Sequence, residues 1–512
     1  MADRAVDPPG VPAGGVPQGE GPATGGPLLV APAGGGSGNG VVVVATDALL
    51  TQAERLARLR DLLADSVHAL GGVHVPGPDL LAAAPPAARQ SVHEVASARA
   101  ATRAASTAAS DAAVALREAI ERYALGEAQQ RERMILLGGQ LGTALGPLLR
   151  DLVLLGLPAL LVAHAAGWPQ PAQVAALREW MLDHPELITS PAFVEAVRAT
   201  SMSLDETAGS ALGLPPGVAG VVAAAAGFTG VQAGAAYLIA AGRPLGLFRE
   251  GPIHVDRVST AQTTSAPEGS LERLARVPEG DQVRIERYDA PGEPPRFVVY
   301  VGPTETFSPL ATDEPWDLTS NVQGVAGLDA GSLRATRAAM IDAGIRGTDQ
   351  VQLVGFSQGG LVATRVAASG EWNVVGLETY GAPAGGIELP DGLAGMAVRN
   401  TDDFVPALAG PQLDNHLLQI ERQAFTPGSS IPTDLPAPAH QRSAYAATAA
   451  VIDQASSQAV REQVAAMDAF TADYRERDGS TVTSMLYLAG RGAEKGSGPA
   501  PHAVVSPGAS IP

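Results

Sequence analysis

Short apolar runs separated by amphipathic stretches fill the second half of the chain. Val283 to Tyr288 and Arg296 to Val301 flank a loop rich in Pro, Gly and Asp, which predicts two antiparallel strands. Helical spacing follows from about Ser332 to Ala343, then an apolar run at Val351 to Val354, a helix from Gly359 to Ser369, and strands at Asn373 to Thr379 and Gly395 to Asn400. From Arg296 the alternation is βαβαβ, so the expected fold class is α/β: a mostly parallel sheet with helices on both faces. Its strands are too apolar to be half exposed, as that sheet type demands. His440 to Asp478 reads as largely helical and Thr481 to Leu488 as one more strand, so this unit is assigned to residues 251–490, with a flexible tail at 491–512.

The first half has a different pattern. Residues 1–45 are mostly Gly, Pro and Ala and cannot bury enough apolar surface to offset their ordering entropy, which predicts a disordered arm. Thr46 and Asp47 offer a helix cap, and Leu49, Leu56, Leu63 and Leu70 recur every seven residues, with Leu59 and Val67 on the same face. Gly71 and Gly72 end that helix, and an Ala-rich second helix from about Pro86 to Tyr123 makes a helical hairpin within residues 46–135. Residues 136–250 form an apolar, Ala/Gly-rich helical region. Within it, 211–242 is uncharged and long enough to cross a bilayer, although Ala- and Gly-rich helices also pack against protein.

Composition narrows the classes. The net charge of −19 argues against nucleic acid as a partner, since phosphate binding needs a basic face. With no cysteine in the chain, disulfides and thiolate metal sites are excluded. The start, MADRAVDPPGVPAGG, lacks the positive and apolar segments of a secretory signal.

The chemistry centres on Gly355-Phe356-Ser357-Gln358-Gly359, which follows the apolar run and opens a helix. A serine at the tip of so sharp a turn needs neighbours without Cβ atoms, and the helix start aims N–H groups at whatever Ser357 carries, which suits an oxyanion. Ser357 is thus expected to be presented rather than buried. The order Ser, acid, His then calls for an acid after a later strand: Asp403 is preferred, with Asp402 as its alternative or as a turn residue. For the base, His440 follows the loop Pro432 to Ala439 and is preferred over His416. Oxyanion donors are expected from Gln358 and, because Pro303 cannot donate, from Thr304 in the turn after the first central strand.

Phe297-Val-Val-Tyr-Val-Gly-Pro-Thr304, the serine turn, Thr379-Tyr-Gly-Ala-Pro-Ala-Gly385, Asp403-Phe-Val-Pro406, and His440 with Tyr445 resemble successive blocks of the class 3 (fungal-type) lipases of the α/β-hydrolase superfamily. The resemblance spans about Arg296 to Tyr445 and implies an α/β-hydrolase sheet. It also implies Ser357 as nucleophile, His440 as base, Asp403 as its orienter, Thr304 and Gln358 at the oxyanion, an ester or lipid substrate, and no cofactor or metal. Two departures are Pro303 beside the oxyanion threonine and the Phe356–Gln358 pair flanking the serine. Related lipases carry a lid where Phe307 to Val325 lies here, so that segment, with Trp316, is expected to be a mobile cover. The hairpin closing with Tyr123-Ala-Leu-Gly-Glu127 resembles helical modules of actinobacterial type VII secretion substrates, although their Trp-x-Gly turn is missing. That implies contact with secretion machinery or a membrane, and either a cytoplasmic location or non-Sec export. A second reading is a non-catalytic or secretion-associated protein that uses the hydrolase fold as a scaffold.

Overall fold

Arg296–Val301 and Gln350–Phe356 are buried along almost their whole length, and the computed structural model sets them side by side in the middle of a nine-stranded sheet. The structure describes residues 25–26, 28–31, 43–72, 85–86, 89–114, 170–202, 231–263, 265–307, 310–410, 417–426 and 428–492. In chain order the elements are β1 (Leu28–Ala31), α1 (Val43–Gly71), α2 (89–114), α3 (Gln170–Asp183), α4 (Pro191–Met202), α5 (Val231–Gly242), β2 (Ile253–Thr263), α6 (Gly269–Arg276), β3 (Val283–Asp289) and β4 (Arg296–Val301). There follow α7 (Leu318–Val325), α8 (Gly331–Asp342), β5 (Gln350–Phe356), α9 (Gln358–Ser369), β6 (Asn373–Tyr380), β7 (Ala394–Asn400), β8 (Leu418–Arg422), α10 (Arg442–Asp453), α11 (Gln458–Glu476) and β9 (Thr481–Arg491).

The strand order is β1-β8-β7-β6-β5-β4-β3-β9-β2. β4 to β8 run parallel, and the flanking strands β1, β3, β9 and β2 pair antiparallel. The expected α/β class therefore holds, with parallel pairing confined to the centre. Antiparallel strands need no helical crossover, and β3 to β4 is joined by the short Pro- and Gly-containing loop that the sequence marks. Side chains alternate between two cores: Phe297, Val299, Val351 and Leu353 pack under α8 and α9. Val298, Tyr300, Val354 and Phe356 pack with Leu274 of α6, Tyr445 of α10 and Phe470 of α11. Burying each such apolar side chain contributes about 1.5–3 kcal/mol, which fixes the register, since a one-residue slip would exchange the two faces.

Four expectations change. Leu28–Ala31, inside the supposedly disordered arm, is an edge strand on β8: Leu28 and Val30 are buried, and the Arg422 guanidinium donates to Gly26 O at 3.0 Å. α1 begins at Val43 and runs through Thr46 and Asp47, so these do not start it. β9 continues to Arg491, which is no tail residue: its buried guanidinium pairs with Asp317 at 2.8 Å and Glu250 at 3.0 Å. Trp316, expected on a mobile cover, is fully buried, and its Nε1 donates to Gly302 O at 3.1 Å. Asp317 caps α7 by accepting from Ser320 N at 2.9 Å, so most of the supposed cover is packed structure.

The hairpin is antiparallel, because Arg99 of α2 donates to Leu70 O at 2.7 Å while Ser106 donates to Arg60 O at 3.2 Å. Tyr123 and Glu127 lie outside the described residues. Only 231–242 of the long uncharged stretch is described, and among the described residues no helix is long and apolar enough to cross a membrane.

Candidate active site

The serine turn is forced by contacts on both sides. A Cβ on Gly355 would come within 2.3 Å of Gly359 O, and one on Gly359 within 2.0 Å of Val301 O, so only glycine allows α9 to start hard against the ends of β4 and β5. Ser357 itself takes φ 55° and ψ −122°, a region that L side chains rarely adopt. Its N–H donates to Tyr380 O at 2.8 Å, and its carbonyl accepts from Gly360 N at 3.0 Å. These bonds hold a backbone that costs about 1–3 kcal/mol to strain.

Two later loops complete the site. His440 Nε2 lies 2.8 Å from Ser357 Oγ, and His440 Nδ1 lies 2.6 Å from Asp403 Oδ2. The structure thus brings together Ser357, His440 and Asp403 from sequence positions far apart. The remaining Asp403 oxygen accepts from Val405 N at 2.9 Å, and Oδ2 also accepts from the Tyr445 hydroxyl at 2.8 Å. Burial, reinforced by the Asp403 charge, pushes the Tyr445 phenol well above its ordinary value, so it stays a donor. Its oxygen in turn accepts from Asn400 N at 3.1 Å. Asn400 Nδ2 donates to Ala439 O at 2.9 Å and so steadies the residue before His440.

Asp402 has another role. Its two oxygens accept from Ala424 N and Phe425 N at 2.9 and 2.8 Å, pinning the turn after β8. Burial is the largest cause pushing its carboxyl up to about 6, with those N–H bonds opposing. His416 lies outside the described residues.

Thr304 follows the β4 end whose Val301 and Gly302 carbonyls crowd Gly359, and its Oγ1 accepts from Asn321 Nδ2 at 2.9 Å. Gln358 is the first residue of α9, where a backbone N–H has no partner within the helix. Its buried carboxamide points away, toward Asp317 O at 3.4 Å and Ser332 Oγ at 3.3 Å. Ser357 is 6% exposed, so the expected presented hydroxyl is nearly covered and its oxygen faces the imidazole.

The rims are capped from the first half of the chain. Phe193 of α4 meets Phe404, the neighbour of Asp403, edge-on at 5.7 Å between ring centres. On the other rim Leu238 and Ile239 of α5 pack with Val322 of α7, the helix that carries Asn321. The sequence marked neither contact, because these helices are read as generic apolar segments. In the sequence Phe356 stands out only as a departure from the lipase pattern, yet its ring stacks on His440.

An ionised Asp403 accepting from Nδ1–H fixes the tautomer that leaves Nε2 free to take the Ser357 proton. The arrangement can therefore generate a nucleophilic alkoxide beside a helix N-terminus. Among the described residues, no group of His, Asp and Glu is arranged to hold a metal ion. No family model matches the chain, and no curated protein or solved structure is significantly similar to it.

Proposed function

We propose that the chain is a serine ester hydrolase of the α/β-hydrolase type, lipase- or esterase-like. The observation that carries this is the unbroken line from Ser357 Oγ to His440 Nε2, 2.8 Å, and from His440 Nδ1 to Asp403 Oδ2, 2.6 Å. Five parallel strands with the serine at the end of the second of them, and the acid and base on later loops, support the fold assignment.

In the proposed reaction Ser357 Oγ bonds to the ester carbonyl carbon as its proton passes to His440 Nε2. The carbonyl oxygen takes the electron pair and lies under the N–H groups of Gln358 and Thr304. Collapse expels the alkoxide, which receives the proton from Nε2, and leaves Ser357 acylated. Water then gives its proton to Nε2 as its oxygen bonds to the acyl carbon, and when the bond to Ser357 Oγ breaks, Nε2 returns the proton to Oγ and the carboxylic acid leaves. Asp403 stabilises the imidazolium formed in both halves.

A fluorophosphonate probe tests the reading, because only an activated serine is labelled. Labelling of the wild type and its loss in Ser357→Ala support the enzyme, as does hydrolysis of p-nitrophenyl esters that follows the same pattern. An unlabelled, inactive wild type refutes it and favours a scaffold protein.

A further inference from the structure

The residue before the serine does more than fill space. The Phe356 and His440 rings are stacked, 5.3 Å between centres and 24° between planes, with Phe356 only 5% exposed. The Tyr445 ring meets His440 at 84° and 6.2 Å. The imidazole is therefore gripped on a face by Phe356 and approached edge-on by Tyr445, while its two nitrogens point at Asp403 and Ser357. An aromatic face within about 6 Å of a cation attracts it through the ring quadrupole, most strongly where water is excluded.

We infer that Phe356 is the positioning residue of the base: its ring holds the imidazole plane that joins Ser357 to Asp403, and it stabilises the imidazolium that forms as the serine attacks. This rests on the ester hydrolase reading above. The charge logic has two coupled consequences. A ring that favours the imidazolium raises the plateau rate, because the cation forms in the transition state. It also raises the midpoint of the acid limb of kcat/KM, because the resting enzyme is protonated more readily. A ring that only fills a gap does neither in this coupled way. Of the ionisable groups around His440, Asp403 accepts from Nδ1 and Tyr445 stays a neutral donor to Asp403. Asp402 is turned toward Ala424 and Phe425. None of these is altered by changing the electron density of the Phe356 ring.

The experiment incorporates 4-fluoro-, 3,5-difluoro- and 3,4,5-trifluorophenylalanine at position 356, keeping the ring's shape while draining its face of negative charge. Phe356→Leu removes the ring, and Phe356→Tyr restores it. With p-nitrophenyl butyrate as probe, each added fluorine lowers both the acid-limb midpoint and the plateau kcat. Phe356→Leu shifts the midpoint down by about half to one pH unit and lowers the plateau about 3- to 30-fold, at an unchanged KM. Phe356→Tyr recovers the wild-type midpoint. A fluorine series with the wild-type midpoint and plateau, beside a wild type that hydrolyses the ester and labels with the fluorophosphonate, overturns this inference alone. So does a Leu variant that loses plateau rate with no shift of midpoint. A wild type that neither labels nor hydrolyses takes down both this inference and the reading beneath it.

Discussion

Replacing Asp402 by Asn separates two adjacent carboxylates whose roles differ although both sit behind β7. Asp402 is fully buried and binds two backbone N–H groups, and its carboxyl is pushed from an ordinary 3.8 up to about 6, chiefly by burial. A folded-state value above the unfolded one means that the folded protein holds the extra proton between about pH 4 and 6. The stabilisation from that proton is complete below about pH 4 and is lost as pH rises through about 6. The interval is worth ~3 kcal/mol, which is the penalty the wild type carries at pH 7 for an ionised group in this place. Asn does not ionise, but it accepts at only one atom, so one of the two N–H groups loses its partner at a cost of about 1–2 kcal/mol. Asp402→Asn is therefore expected to be about 1–2 kcal/mol less stable than wild type at pH 4 and more stable by a similar amount at pH 7. Urea titrations from pH 4 to 7.5 read the two curves, and their difference cancels the other titrating groups. Curves that stay parallel across that range refute the reasoning. Ester hydrolysis by Asp402→Asn should stay within about threefold of wild type, whereas Asp403→Asn, which loses the correct tautomer, should fall about 10³- to 10⁴-fold.

Ser357→Ala is expected to lose all fluorophosphonate labelling and about 10⁴-fold or more of kcat, with its melting temperature close to that of the wild type because Ala keeps the Cβ and with it the backbone strain. Tyr445→Phe removes one donor from Asp403 Oδ2 and the acceptor of Asn400 N, so kcat should drop about tenfold at constant KM while stability falls by about 1–3 kcal/mol in a denaturant titration. Gly359→Ala drives a methyl onto Val301 O, with a spacing of 2.0 Å, and should give little soluble protein and no labelling in that fraction. Arg491→Met strands the buried Asp317 carboxylate and takes one of two arginines from Glu250, which keeps Arg334 at 3.2 Å; a loss of about 3–5 kcal/mol by thermal or urea unfolding is expected, and an unchanged midpoint would sink the assigned role of that ion pair.

The readable parts of the sequence are those where local chemistry and tertiary packing agree. β4 and β5 carry near-continuous apolar runs because they are buried on both faces, and the predicted limits of β3 to β7 differ from the observed ones by at most two residues. The serine turn was legible because Gly355 and Gly359 are set by backbone crowding that no other residue tolerates. Long-range pairing was not. Leu28–Ala31 looks like a stray apolar patch in a Gly/Pro-rich arm until β8, nearly four hundred residues away, gives it hydrogen-bond partners. Trp316 reads as exposed because its neighbours are polar, but those polar groups are spoken for: Asp317 by Arg491 and Ser320, and Glu314 by Gln282 at 2.8 Å. Asp402 and Asp403 have the same local surroundings in sequence, and only the loops that fold over each assign one to a turn and the other to an imidazole.

The place of β9 sets a timetable for biosynthesis. It is inserted between β3 and β2, so the last described strand must slide in beside two that left the ribosome long before it. Ile253 meets Arg491, more than 200 residues downstream, and at ordinary translation speeds β2 waits roughly 10–50 seconds for its neighbour. Throughout that delay the nascent chain exposes the ragged flank of β3 as well as unpaired β2. A polypeptide that stopped before Thr481 would hold an intact serine, acid and base in its sequence and still lack the seam that joins β2 to the rest of the sheet.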